Sequence, residues 1–293
     1  MTDKDKFLPW ALIIVLSLIW GTSFILMKRG LSLYTPSEVG ALRIVSAGLF
    51  LLPLALARSK RLRKRDVKKL FIVGMLGSFF PAFLFAYGQT GVISSVAGML
   101  NSLTPIIVMS IGVLFFKQRL KVMTAVGLLL GLMGTLLLLF SGSGGLGQLN
   151  AYALFIVLAV ICYSINLNFV KYYLAGLSAV TITSVALAMV MPFAAIYLFG
   201  FTPFFDVLVS SEDGVSKAGY IILLGVVGTA IALILFNKLV QISTPLFTSL
   251  VTYFIPVVAI LWGLFDGETL LATHFIGLVI ITAGVYLVNK SKN

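Results

Sequence analysis

The feature that most limits this chain is a string of apolar runs, each about twenty residues long, that repeats from one end of the sequence to the other. A bilayer core about 30 Å thick takes roughly 20 residues of α-helix per crossing. Read run by run, the sequence gives ten spans, near 9–28, 37–57, 69–89, 93–116, 121–140, 149–170, 179–200, 218–239, 244–265 and 271–289. The runs are continuous rather than alternating, which excludes a β-barrel. Composition agrees: 60% of residues are hydrophobic and only 10% are charged, against about 25% charged in a soluble domain. That leaves too little polar surface for a cytosolic enzyme, a secreted domain or a nucleic-acid-binding module. The fold class is therefore an all-α polytopic membrane protein. The first run is too long for a signal-peptide core and no small-residue cleavage site follows it, so it reads as a span.

Charge sets the expected orientation. With ten spans both termini lie on one side, and every lysine and arginine except Lys28, Arg29, Arg43 and Lys217 falls on that side. The densest group, between Arg58 and Lys69, sits in a short loop. The positive-inside rule places both termini in the cytoplasm, and the net charge of +12 is then a mark of topology, not of nucleic acid. The expected location is a plasma membrane, and the compact loops point to a bacterial inner membrane. Thr35-Pro36-Ser37-Glu38 reads as a helix start, with Thr35 as N-cap, Pro36 as first helical residue and Glu38 closing a capping box.

The chain divides into a first half, 1–140, a Gly/Ser-rich linker, 141–148, and a second half, 149–293. The halves echo one another. Trp20 to Lys28 matches Tyr163 to Lys171, an aromatic followed by a lysine eight residues later. Leu76-Gly77 matches Leu224-Gly225, Thr104-Pro105 matches Ile255-Pro256, Gly112 matches Gly263, and Gly134 matches Gly284. Five spans per half is an odd number, so homologous halves sit inverted, the architecture of alternating-access carriers with a site near the midplane. Trp20-Gly21 before Lys28, Pro36 and Arg43 in the next helix, Pro105 and Pro256, and Gly267-Glu268 together resemble the two EamA domains of the drug/metabolite transporter superfamily, over about 9–289. The resemblance implies a ten-helix, two-repeat secondary carrier, often an exporter of amino acids or other small metabolites. One departure is visible: the glycine-glutamate pair kept as Gly267-Glu268 is Lys117-Gln118 in the first half.

Few groups in the spans carry chemistry. The expected substrate-binding set is Trp20, Thr22, Phe80, Tyr87 and Asn101 in the first half, with Tyr163, Asn166, Thr229, Thr252 and Tyr253 in the second. These are aromatics, amides and hydroxyls in otherwise apolar runs, where a buried amide needs several partners. Trp20 and Tyr163, at matched positions, are expected to face each other across the pseudo-twofold axis. Pro105 and Pro256 are the hinge candidates. Arg43 is read as structural, Lys28 as snorkelling, Asp266 and Glu268 as solvated in an outer turn, and His274 as interfacial. The glycine-rich fifth and tenth spans are expected to pack on each other.

No acid falls at mid-membrane depth in this assignment, which favours facilitated diffusion or exchange over ion coupling. A single histidine excludes a multi-histidine metal site, and the single Cys162 excludes an intramolecular disulfide. No phosphate-binding G-x-x-x-x-G-K-[ST] motif occurs, so this chain does not draw on ATP directly, and no cofactor is implied. The expected partners are the lipid bilayer and a small-molecule substrate. The expected function is a carrier of amino acids or related zwitterions. Nucleosides, sugars or cationic drugs are the alternative cargo. A channel or a membrane-embedded enzyme ranks lower, since the acids are dispersed.

Overall fold

The structure, a computed structural model, describes residues 3–60, 62–116, 122–142, 145–146, 150–243, 248 and 251–290. In the first half the helices are α1 (Asp3–Leu31), α2 (Pro36–Ser59), α3 (Lys64–Gly74 continuing through Phe80–Gly88), α4 (Ser94–Asn101 and Thr104–Phe116) and α5 (Val122–Leu139). In the second half they are α6 (Ala151–Tyr173), α7 (Ala179–Phe201), α8 (Gly214–Gly225 continuing through Ala232–Ile242), α9 (Val251–Phe265) and α10 (Ala272–Lys290). A short helix, Phe204–Ser210, precedes α8. A two-residue antiparallel pair, Ser141–Gly142 with Gly145–Leu146, follows α5.

Among the described residues seven helices are long and apolar enough to cross a membrane, α1 to α4 and α6 to α8. Three apolar helices are shorter, Val122–Leu138, Phe254–Phe265 and Ala272–Leu287. In lipid every backbone polar group must find its partner within the protein, and helices do this locally. The start of α2 shows how. Glu38 Oε2 accepts the Thr35 N–H at 2.9 Å and Thr35 Oγ1 accepts the Glu38 N–H at 3.3 Å, the expected capping box.

Three spans depart from regular α-helix. In α3 a π-helical turn covers Met75–Phe79, and in α8 another covers Val226–Ile231, so the third helix of each half carries one. In α4 the helix breaks between Asn101 and Thr104. Pro105 has no N–H to offer the Asn101 carbonyl, and the Thr104 hydroxyl donates to it instead, at 2.7 Å. Pro105 thus lies at a break, whereas Pro256 lies inside the continuous α9.

The halves pack reciprocally. The pair α1–α9 has its counterpart in α6–α4, and α1–α8 in α6–α3, while α2–α7, α4–α9 and α5–α10 each join equivalent helices. The α5–α10 contact is close because glycines line it. A Cβ on Gly284 would stand 2.6 Å from the Gly127 carbonyl oxygen, and one on Gly134 2.8 Å from that of Gly277. Small residues of this kind let membrane helices approach backbone to backbone. Polar side chains tie other crossings: Ser17 Oγ donates to the Val251 carbonyl at 3.2 Å, and Asn168 Nδ2 to that of Val108 at 3.2 Å.

Candidate functional site

A cavity of about 130 Å³ lies between the halves, and residues of α1, α2, α3, α4, α6, α7, α8 and α9 line it. Among the described residues none of α5 or α10 does. A buried water needs about 10–15 Å³ by this measure, so the space suits a small metabolite. The irregular segments contribute to its lining. Gly77 and Ser78 of one π turn, Gly228 and Thr229 of the other, and Asn101 and Thr104 flanking the α4 break all face it.

Six of the expected site residues meet there: Trp20, Asn101, Tyr163, Asn166, Thr229 and Thr252. Trp20 Nε1 donates to the Gly228 carbonyl in the α8 π turn at 3.0 Å, and its ring packs on Phe236, 5.0 Å away between centroids. Tyr163 packs on Phe85 at 5.8 Å. The two aromatics thus each meet the third helix of the opposite half rather than each other. The Asn166 amide makes no hydrogen bond to any described residue, and its Oδ1 is buried.

Three expected residues lie elsewhere. Thr22 Oγ1 accepts from Trp262 Nε1 at 2.9 Å, fastening α1 to α9 outside the cavity. Phe80 is 44% exposed and Tyr87 41% exposed, both on the bundle's outer surface, Tyr87 packed on Phe155. The side chain of Tyr253 lies outside the described residues, as do Lys117 and Gln118. The sequence reading missed Asn237, whose Nδ2 donates to Thr183 Oγ1 at 2.9 Å, both on the cavity wall. It also undervalued Arg43. This side chain is buried, lines the cavity, and its Nε donates to Thr229 Oγ1 at 2.7 Å.

Near the outer end of α1 lies an ion-pair cluster that the sequence reading took for solvated and snorkelling groups. Lys28 Nζ sits 2.6 Å from Asp266 Oδ2 and 2.9 Å from Glu268 Oε1, and Arg29 pairs with Asp266. Glu268 is buried: its Oε1 accepts the Ser94 N–H at 3.0 Å, and its Oε2 accepts the Ser95 N–H at 3.0 Å and hydroxyl at 2.8 Å. It therefore caps the start of α4, where orphan N–H groups and the helix dipole favour an anion. Burial pushes its carboxyl up, but the bonds from Lys28, Ser95 and Ser94 outweigh this and hold it below the ordinary glutamate range. The bond from Lys28, followed by the charges of Lys28 and Arg29, likewise lowers Asp266 against its burial.

Gly267 delivers Glu268 to that place. Its φ of +76° is a left-handed conformation that glycine adopts without strain. The Glu268 N–H returns to the Gly263 carbonyl at 2.9 Å and the Gly267 N–H to that of Leu264 at 3.2 Å, a Schellman close to α9. The turn reverses the chain so that the next side chain enters the bundle. His274, the third residue of α10, is also buried: its Nδ1 accepts the Leu271 N–H at 3.2 Å.

Along its length the cavity reaches Met27 and Phe85 toward the Lys28 end, and Val170, Ile182 and Val240 toward the other. Among the described lining residues no carboxylate appears and Arg43 is the one charged side chain. No group of three or more metal-ligating side chains occurs among the described residues.

Comparison with known proteins adds the following. The model of the EamA-like transporter family matches residues 8–140 and again 150–290. An uncharacterized transporter of Archaeoglobus fulgidus is 24% identical over 97% of this chain and 99% of its own length. The uncharacterized inner membrane transporter YedA of Escherichia coli K12 is 26% identical over 94% of this chain and 89% of its own. A crystal structure at 19% identity covers 94% of each chain with a TM-score of 0.65, a likeness of fold.

Proposed function

The chain belongs to the EamA-like transporter family, and from that membership we propose that this membrane transporter is a secondary carrier that exports amino acids or related zwitterions by alternating access at its central cavity. In this reading the halves are inverted repeats, both termini are cytoplasmic, and the protein resides in a bacterial inner membrane. The single observation that carries it is the cavity itself, built from both halves; in this reading the Lys28, Asp266 and Glu268 cluster holds its outer end closed. Under the positive-inside orientation the end at Val170, Ile182 and Val240 faces the cytoplasm, from which an exporter loads. The absence of a carboxylate among the described lining residues favours exchange or facilitated movement over proton coupling.

The test is counterflow in proteoliposomes. Each unlabelled amino acid is loaded inside in turn and its labelled form is added outside. Saturable, transient accumulation that disappears in Trp20→Ala and Asn101→Ala is the expected result, because only a carrier exchanges one bound substrate for another. Flat traces for every amino acid with folded protein would remove the amino-acid assignment. Non-saturable equilibration would replace the carrier by a channel.

A further inference from the structure

We propose that Arg43 is the anchor for a substrate carboxylate, so that the cargo of this carrier must bear one; the proposal rests on the carrier reading above. Arg43 is the eighth residue of α2, which at 1.5 Å per residue puts it about 10 Å from the start of the helix. A guanidinium keeps its charge in a protein, and a buried charge is costly unless a counter-charge and hydrogen bonds meet it. None of the ion pairs among the described residues includes Arg43. The acid nearest in sequence is Glu38, and it is engaged with Thr35 in the helix cap. Five residues of α-helix also turn Glu38 about 140° away from Arg43.

The side chain is aimed as well as buried. Thr229, in the α8 π turn, accepts from Nε, and the Tyr163 hydroxyl hydrogen-bonds to the guanidinium. A guanidinium has five N–H groups, so these two partners orient it and leave further N–H groups for a carboxylate, the anion that its fork pairs with best. With one positive and no negative side chain among the described lining residues, the cavity complements a single negative charge, not a dianionic phosphate ester. A second group points to a ligand independently: the Asn166 amide lines the same cavity with its buried Oδ1 unpartnered. An acceptor there suits an ammonium or hydroxyl on the same small molecule. Trp20, Phe236 and Tyr163 supply ring faces for an ammonium group.

The experiment is proteoliposome counterflow with L-leucine, L-phenylalanine and L-threonine, their carboxamides, the amines isoamylamine and phenethylamine, and the neutral solutes uridine and glucose. It is run on the wild type, Arg43→Gln and Arg43→Lys. Wild type is expected to exchange acids over carboxamides by a factor on the order of 10- to 100-fold, the worth of a hydrogen bond to a charged group. Arg43→Gln is expected to lose that preference while its melting profile stays that of a folded protein, and Arg43→Lys to restore part of it. Should Arg43→Gln fail to fold, the wild-type preference and the Arg43→Lys result decide. Wild-type exchange of carboxamides or amines as fast as acids overturns the proposal, as does an Arg43→Gln protein that keeps the preference. Exchange of uridine or glucose without any acid overturns it while leaving the carrier reading intact. No counterflow with any compound overturns both.

Discussion

Replacing Glu268 by glutamine keeps the shape of the side chain and removes its charge. In the structure that carboxylate accepts three hydrogen bonds from Ser94 and Ser95 and pairs with Lys28. Removing one member of a fully buried pair costs about 3–5 kcal/mol. The Lys28 side chain is 38% exposed, so water takes up part of the loss, and glutamine retains an oxygen for the α4 cap, itself worth about 1 kcal/mol. The closed state should therefore lose about 2 kcal/mol, close to a 30-fold change in an equilibrium constant. A conformer open at the Lys28 end and held at about 1% would rise to about 20–25%. The assay is labelling of Ser23→Cys, a cavity position, in a Cys162→Ala background, with a membrane-impermeant thiol reagent applied to the Lys28 side. Glu268→Gln should raise the labelling rate by more than tenfold. A rate equal to that of the parent, in folded protein, would show that these contacts do not close the cavity and would refute the reasoning.

Gly267→Ala forces a Cβ onto a left-handed residue at a cost of about 1–2 kcal/mol, and should give a weaker version of the same labelling increase together with a lower melting temperature. Because the folded Glu268 carboxyl lies below its ordinary value of 4.5, its contribution is present above that value and is lost as pH falls through the lowered one. Labelling of Ser23→Cys, divided by that of a fully exposed cysteine at the same pH to remove the loss of thiolate, should then stay flat from pH 8 to 5 and rise only below the ordinary glutamate range; a rise in this ratio near pH 6 would contradict this. Gly284→Ala places a Cβ 2.6 Å from the Gly127 carbonyl oxygen, an overpacking expected to cost about 1–3 kcal/mol. Thermal unfolding in detergent should show that loss, and counterflow selectivity should not change, since no described residue of α5 or α10 lines the cavity.

The parts legible in the sequence are those fixed by local chemistry. Apolar runs long enough for a bilayer give the spans, and Thr35 with Glu38 gives the start of α2, because both partners of that cap lie within four residues of each other. Six polar or aromatic site residues were legible because an amide, indole or hydroxyl in an apolar run must meet water, a partner or a ligand. Phe80 and Tyr87 were misplaced for a definite reason. They follow the π turn Met75–Phe79, and an extra residue in a turn rotates everything beyond it by about 100°. The sequence reading chose them by residue type and depth rather than by face, and nothing in the local sequence announces the turn that sets their face. Asn237 lies beyond the matching π turn in α8 and was not among the expected residues.

The ion-pair cluster was hidden for a different reason. Glu268 finds Ser94 and Ser95 across more than 170 positions of sequence, and only the packing of α9 against α4 brings them together. Yet one local cue existed: a glycine directly after an apolar helix, followed by an acid, is the pattern of a left-handed close that turns the acid inward. The departure between the halves then acquires a physical meaning. Lys171 occupies in the first repeat pattern the place that Lys28 holds, but the first half offers Lys117-Gln118 where the second offers Gly267-Glu268. A lysine has no anion to pair with in that dipeptide. The attraction within this cluster therefore has no equal in the matching sequence of the other half. In the carrier reading this imbalance favours a state closed at the Lys28 end, and Lys28, Asp266 and Glu268 set how much binding energy a substrate must contribute to reverse that preference.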